Sequence, residues 1–269
     1  MNTDKNISIC VVIVSSFEPL YLFCNNIIRK QSLQYKIPVF FLLNGKLPEN
    51  YILKKDERFL EHTDGLCNPW MFLKFKTMLQ EIYNNSSPDY ILRCNSTTFI
   101  NFTRLPELFA SLPTENLIAG PFMYSTGFIG TNVFCQGSNM ILSKDVAKRL
   151  AYDQNEKDPF IFEYADDIAI DFLTRTYAKK NDLSLYTMRY EEFTTIPKFY
   201  ELPINPANIF FRVKNNTINR FEIDSEIWKL LHYLFDVIHY RNTFTAWAKY
   251  TINTPRYTIY SFGDDHKKI

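Results

Sequence analysis

Short apolar runs alternate with helical segments through the first hundred residues, and this order limits the folds open to the chain. Residues 7–16 and 37–45 are rich in β-branched or aromatic side chains and predict buried strands. Residues 89–94 predict a third strand, and segments with helical spacing separate the three. Strands that alternate with helices favour a mainly parallel sheet covered on both faces, so the predicted fold class is α/β.

The balanced charge and the few glycines argue against two classes of function. Thirty Lys and Arg against 29 Asp and Glu leave a net charge of +1, so no field of one sign attracts nucleic acid. Seven glycines in 269 residues argue against a glycine-rich phosphate loop. Five cysteines without metal-ligand spacing predict reduced core thiols, and the early apolar run is too short for a membrane span. We therefore expect a cytoplasmic protein.

Polar side chains stand where the first and third predicted strands end. Ser15 and Ser16 close the first strand, and Asn95, Ser96 and Thr97 follow the third. Because ligands of parallel α/β sheets bind outside the carboxyl ends of the strands, these residues predict a ligand site at one edge. They also suit ordinary turns, since Asn and Ser side chains hydrogen-bond their own backbone. Both interpretations stay open on these residues alone.

Four motifs follow one another in the order FLKFKTML (72–79), YILRCNSTTFIN (90–101), CQGSNMILS (135–143) and YADDIAID (164–171). Their order and rough spacing over residues 7–175 resemble the fringe-like and β1,3-glycosyltransferase families, which have the GT-A fold. The resemblance implies a GT-A-like nucleotide-binding sheet flanked by helices. It also implies a hexosyltransferase-like enzyme, typical of polysaccharide biosynthesis, that moves a sugar from a nucleotide-diphosphate donor to a glycan or lipid-linked glycan hydroxyl with inversion.

The chain departs from this family at the acidic triplet that holds a metal ion. Aligned on residues 98–101, the triplet becomes Asn95, Ser96 and Thr97, and neutral side chains are poor ligands for a hard divalent cation. The family's metal-binding histidine also has no counterpart, since no histidine occurs between His62 and His232. We expect no cofactor and no divalent metal. The alternatives are a catalytically silent module that binds glycan or nucleotide sugar, and an unrelated nucleotide-binding α/β protein.

The resemblance assigns the chemistry to an acidic pair. Asp167 becomes the general base that deprotonates the acceptor hydroxyl, and Asp166 raises its pKa by like-charge repulsion. The alternative is a pair of carboxylates stabilised by a helix dipole.

The remaining candidate residues surround the donor and the acceptor. Positive charge to replace the metal is expected from Arg93, Arg212, Lys214 and Arg220, because guanidinium binds diphosphate bidentately. The period of two places Arg212 and Lys214 on one side of a strand. The resemblance also assigns Asp64 and Lys76 to the nucleotide sugar. Gly137 and Ser138 fall on the acceptor side, or form a simple bulge.

The carboxyl-terminal part carries a long helical pattern. We divide the chain into a transferase domain, residues 1–221, and a helical aromatic segment, residues 222–269. The segment is apolar on more than one face, which predicts packing on the main domain. The alternative is a peripheral contact with the inner membrane face or with a second copy, since Lys229, Arg241 and Lys249 suit anionic headgroups.

Overall fold

The computed structural model describes residues 7–60, 70–127, 130–153, 165–177, 183–188, 190–193, 208–216 and 218–241. The strands are β1 (Ile9–Ser16), β2 (Val39–Asn44), β3 (Glu57–Phe59), β4 (Tyr90–Asn95), β5 (Thr98–Ile100), β6 (Leu117–Gly120), β7 (Phe122–Gly127), β8 (Gly130–Cys135), β9 (Asn139–Ser143), β10 (Ser184–Thr187), β11 (Glu191–Phe193) and β12 (Phe210–Val213). The helices are α1 (Pro19–Tyr35), α2 (Trp70–Asn85), α3 (Leu105–Ser111), α4 (Lys144–Tyr152), α5 (Asp166–Tyr177) and α6 (Arg220–Arg241).

A seven-stranded sheet in the order β10-β6-β9-β4-β1-β2-β3 forms the centre of the molecule. β1 pairs in parallel with β2 and β4, and the pairs β2–β3 and β6–β10 are also parallel. β9 runs antiparallel to both of its neighbours, β4 and β6. The predicted α/β class with a mainly parallel sheet is therefore confirmed.

Helices cover both faces of the sheet, which explains why β1 is an unbroken apolar run. Val11 and Ile13 join a core cluster with α1 and α6, whereas Val12 joins a second cluster with α2, α4 and α5. All three are fully buried, and each such side chain contributes about 1.5–3 kcal/mol. The cysteines within the described ranges, Cys10, Cys24, Cys94 and Cys135, are buried thiols.

A smaller sheet in the order β11-β12-β5 carries the aromatic side of the core. The indole of Trp228, on α6, meets the ring of Phe99 edge-on at 5.2 Å between centroids. The ring of Phe235 lies 5.7 Å from Phe99 and 5.3 Å from Phe211. Tyr233, on the same helix, is 64% exposed. α6 thus lies with one face on the smaller sheet.

Within the described ranges, no helix combines the length and apolar character that a membrane span requires.

Candidate functional site

The polar ends of three parallel strands lie side by side at one edge of the sheet. Ser16 of β1 is paired in register with Asn44 of β2, and Val14 of β1 is paired with Asn95 of β4. The structure therefore brings the serines and the asparagine cluster to the same carboxyl edge, where α/β sheets bind ligands.

Much of the serine-asparagine cluster is engaged inside the protein. The hydroxyl of Ser15 accepts a hydrogen bond from the Asn25 amide at 2.8 Å, and Ser96 donates to the other end of that amide at 3.0 Å. Thr97 is buried, whereas Ser16 is half-buried and its hydroxyl accepts from the Glu18 N–H at 3.3 Å. Ser15 and Ser96 thus connect β1 and the end of β4 to α1 by hydrogen bonds. Ser16 lies at the carboxyl edge of the sheet.

Lys74 is a buried lysine at this edge that the sequence analysis missed. Its ammonium donates to Asn44 Oδ1 at 3.0 Å, and it has no carboxylate partner within the residues the structure describes. Burial lowers the pKa of Lys74. The available signal was its spacing, because Lys74 is three residues after Met71 and four before Met78, on the apolar face of α2.

Lys76, which the resemblance assigned to the nucleotide sugar, is also buried but points elsewhere. Its ammonium donates to the carbonyl of Asp153, just beyond α4, at 2.7 Å. Lys74, two residues earlier, is the lysine of α2 that reaches the strand ends.

The acidic pair begins α5 and meets Arg93 of β4. The Arg93 guanidinium forms an ion pair with Asp166 and hydrogen-bonds the carbonyl of Gly137. It also donates to Asn95 Oδ1 at 3.2 Å, and only 3% of its side chain is exposed. A contact between Arg93 and a diphosphate would require it to leave these partners.

Asp167 is held in place by two backbone N–H groups. Its Oδ2 accepts from Gly137 at 3.1 Å, and its Oδ1 accepts from Ile168 at 3.0 Å. Burial raises the pKa of Asp167, and the charge of Asp166 raises it further, against the opposing effect of Arg93. The carboxylate is therefore fixed in position and has an increased affinity for a proton.

The guanidinium of Arg93 fills the space that a side chain at position 137 would need. A Cβ atom there would lie 1.7 Å from Nη1 of Arg93. The sequence favoured Gly137 and Ser138 for the acceptor; in the structure both are buried, and Ser138 donates to Asn139 Oδ1 at 2.9 Å.

Asp171 holds the same backbone segment one helical turn further along α5. It accepts from the N–H of Cys135 at 3.2 Å and pairs with Arg175 at 2.7 Å. Burial raises the pKa of Asp171, while its bonds to Arg175 oppose that rise. Asp167 and Asp171 together fix α5 against residues 135–137, a role that spacing alone did not reveal.

Among the described residues, the other predicted cations form no ion pair with Asp166 or Asp167. Arg212 is placed over the ring of Tyr190 at 5.9 Å, and Lys214 is exposed just after β12. Arg220 pairs with Asp224 at 3.1 Å and lies over the ring of Tyr21. Asp64 lies outside the described residues.

Comparison with known proteins gives structural likeness alone. No protein-family model matches the chain, and no curated protein matches its sequence. A glycosyltransferase involved in glycosylation of the major capsid of PBCV-1 aligns with a TM-score of 0.48 and 12% identity, over 82% of this chain and 99% of that one. The galactosyltransferase LgtC aligns with a TM-score of 0.47 and 11% identity, over 90% and 99%. GlyE of Streptococcus pneumoniae aligns at 0.43 and 15%, over 87% and 64%. At such values the likeness carries no argument about activity.

Proposed function

We propose that this protein is a GT-A-type glycosyltransferase that moves a sugar from a nucleoside-diphosphate donor to a glycan hydroxyl with inversion. The observation that carries the proposal is the half-buried carboxylate of Asp167, fixed by the Gly137 N–H beside the carboxyl edge of the sheet. A general base needs a fixed position and a pKa raised toward the working pH, and Asp167 has both features.

The two neighbouring carboxylates have different environments, which favours different roles. Asp166 is neutralised by Arg93, whereas the described partners of Asp167 are two backbone N–H groups. Such a pair separates an ionised supporting group from a group that takes up a proton. Asp166 and Arg93 accordingly support Asp167, the residue that receives the proton of the acceptor hydroxyl.

Lys74 supplies positive charge for the donor in the proposed mechanism. A buried ammonium is costly unless it is paired, and Lys74 has only the neutral amide of Asn44 as a described partner. A diphosphate bound outside the strand ends would provide the missing anion. A fixed cation stabilises the charge that develops on the leaving group without a metal ion.

A catalytically silent module that binds nucleotide sugar is the second candidate. It is favoured by the neutral residues at the triplet, where Asn95 accepts from Arg93 and Ser96 donates to Asn25. A screen of nucleotide sugars for thermal stabilisation, followed by a transfer assay with every donor that binds, separates the two. Binding with transfer supports the enzyme, binding without transfer supports the silent module, and the absence of binding contradicts both.

Nucleotide binding should not require a divalent cation, because Asn95, Ser96 and Thr97 stand where the resembling families carry carboxylates. Calorimetry of UDP and GDP in the presence of a chelator should give the same affinity as calorimetry with manganese. An affinity that collapses with chelator and returns with manganese would show that this site uses a metal ion.

Replacing Lys74 by Met should weaken the binding of UDP about 10- to 100-fold, as expected for the loss of a hydrogen bond between charged groups. Wild-type affinity should also fall as the pH rises through the lowered pKa of Lys74, because the neutral amine no longer attracts phosphate. The Met variant should lack that pH dependence.

The matched control for this experiment is Gln80→Met on the same helix. Gln80 donates to the carbonyl of Ala151 at 2.7 Å, away from the strand ends. The control should bind UDP as the wild type does. Equal affinities of the wild type and Lys74→Met would exclude the proposed contact.

A further inference from the structure

A group of polar side chains lies on the smaller sheet next to the backbone that holds Asp167. Gln136 directly precedes Gly137, and its Oε1 accepts a hydrogen bond from the hydroxyl of Tyr190 at 3.0 Å. The guanidinium of Arg212 lies over the Tyr190 ring, and Glu192 lies beside Arg212. One peptide unit, between Gln136 and Gly137, therefore separates this group from the N–H that binds Asp167.

The hydrogen bond from Tyr190 engages the oxygen end of the Gln136 amide. The Ser138 hydroxyl, which donates its proton to Asn139, lies 3.1 Å from the same oxygen. The NH₂ group of Gln136 is at the other end of the amide. That NH₂ group has no hydrogen-bond partner within the part of the chain that the structure describes, and Gln136 is only half-buried. Two oriented donors are thus left for a ligand.

Arg212 and Glu192 are close but do not satisfy each other. The Arg212 Nε lies 3.7 Å from Glu192 Oε1, beyond hydrogen-bond distance, and is buried without a hydrogen-bond partner among the described residues. The Glu192 side chain is 42% exposed, and that of Arg212 is 14% exposed. The Tyr190 ring restrains the guanidinium, which lies beside the accessible carboxylate of Glu192.

We propose that Gln136, Glu192 and Arg212 form a subsite for one sugar residue of the acceptor glycan. Each sugar hydroxyl both donates and accepts, so neighbouring hydroxyls suit a carboxylate that accepts and an amide and a guanidinium that donate. The position beside Gly137 brings the bound sugar close to Asp167, which deprotonates the attacking hydroxyl. The inference rests on the proposed function for the reaction, but the subsite itself is a binding site that can be tested without transfer. This inference assigns Arg212 to acceptor binding, whereas the sequence predicted that it binds the donor.

The test measures the binding of methyl glycosides of glucose, galactose, mannose and N-acetylglucosamine by ligand-observed NMR, with UDP present. At least one glycoside should bind the wild-type protein. Glu192→Gln and Gln136→Leu should each weaken that binding about tenfold, the size expected for losing one hydrogen bond of this kind. Glu226→Gln, an exposed carboxylate on α6, is the matched control and should bind as the wild type does. UDP affinity and circular dichroism measured on the same samples show whether each variant is folded.

The outcomes separate this inference from the proposed function. If UDP binds but no glycoside does, the sugar subsite is wrong and the transferase function stands. The subsite is equally wrong if both folded variants keep the wild-type affinity for the glycoside. Glycoside binding that the variants weaken, in a protein that binds no nucleoside diphosphate, would support the subsite and remove the transferase function.

Discussion

Replacing Asp167 by Asn should lower the rate of sugar transfer about 10²- to 10⁴-fold, while donor affinity stays within a few-fold of the wild type. The amide keeps the shape of the side chain but cannot take up the proton of the acceptor hydroxyl. The wild-type rate should also fall as the pH drops through the raised pKa of Asp167, because a protonated carboxyl is no longer a base. Initial rates across a pH series, with calorimetry of the donor, measure both effects.

The matched control for Asp167→Asn is Glu107→Gln, which removes an exposed carboxylate from α3. Its transfer rate should equal that of the wild type. Transfer by Asp167→Asn within a few-fold of the wild type would remove Asp167 from the proposed role. An Asp167→Asn protein that fails to fold would also contradict it, since the side chain would then be required for structure.

Truncation of the chain before residue 222 should leave an insoluble or molten protein. The truncation removes most of α6, whose buried residues Ile227, Trp228, Leu231 and Phe235 pack with the aromatic core. Its loss would expose the rings of Phe99 and Phe211 to water. Near-ultraviolet circular dichroism and sedimentation of the truncated chain measure the result, and a folded, soluble monomer would contradict this role of the helix.

Two single substitutions separate the buried face of α6 from its exposed face. Trp228→Ala should destabilise the protein by about 3–5 kcal/mol, the usual cost of truncating a large core aromatic side chain. Tyr233→Ala, on the exposed face, is the matched control and should change stability by less than about 0.5 kcal/mol. Urea unfolding of both variants gives the comparison, and equal stabilities would show that the buried face contributes little.

The sequence was sufficient for the three central strands of the main sheet because these strands are buried on both faces. Continuous runs of β-branched and apolar residues are typical of strands covered by helices on both faces. Such runs at residues 7–16 and 37–45 therefore predicted β1 and β2. β3 was missed because it is only three residues long and includes Glu57 and Arg58. Their charges are balanced by Arg29 and Glu81, partners that are distant in sequence.

The candidate site was predicted less completely because its residues depend on distant partners. The motif order pointed to Asp166 and Asp167, but only the fold brings Arg93 from β4 to the first of them. Lys76 and Lys74 are two residues apart on one helix, and periodicity alone does not tell which one reaches Asn44. Tertiary packing decides which polar groups find hydrogen-bond partners within the protein and which remain for a ligand.

The reversed strand β9 has a consequence for how this protein can diversify. Because β9 runs against β4, its first residue, Asn139, lies opposite Cys94 near the carboxyl edge where the parallel strands end. The chain therefore runs from the β7–β8 hairpin through residues 136–138 into the sheet at this edge. The parallel strands run out of the sheet at the same edge. Insertions or exchanges in that hairpin can alter this edge without changing the register of β1, β2 and β4. Under the proposed function, selection can then keep the donor side of the site while the acceptor side varies.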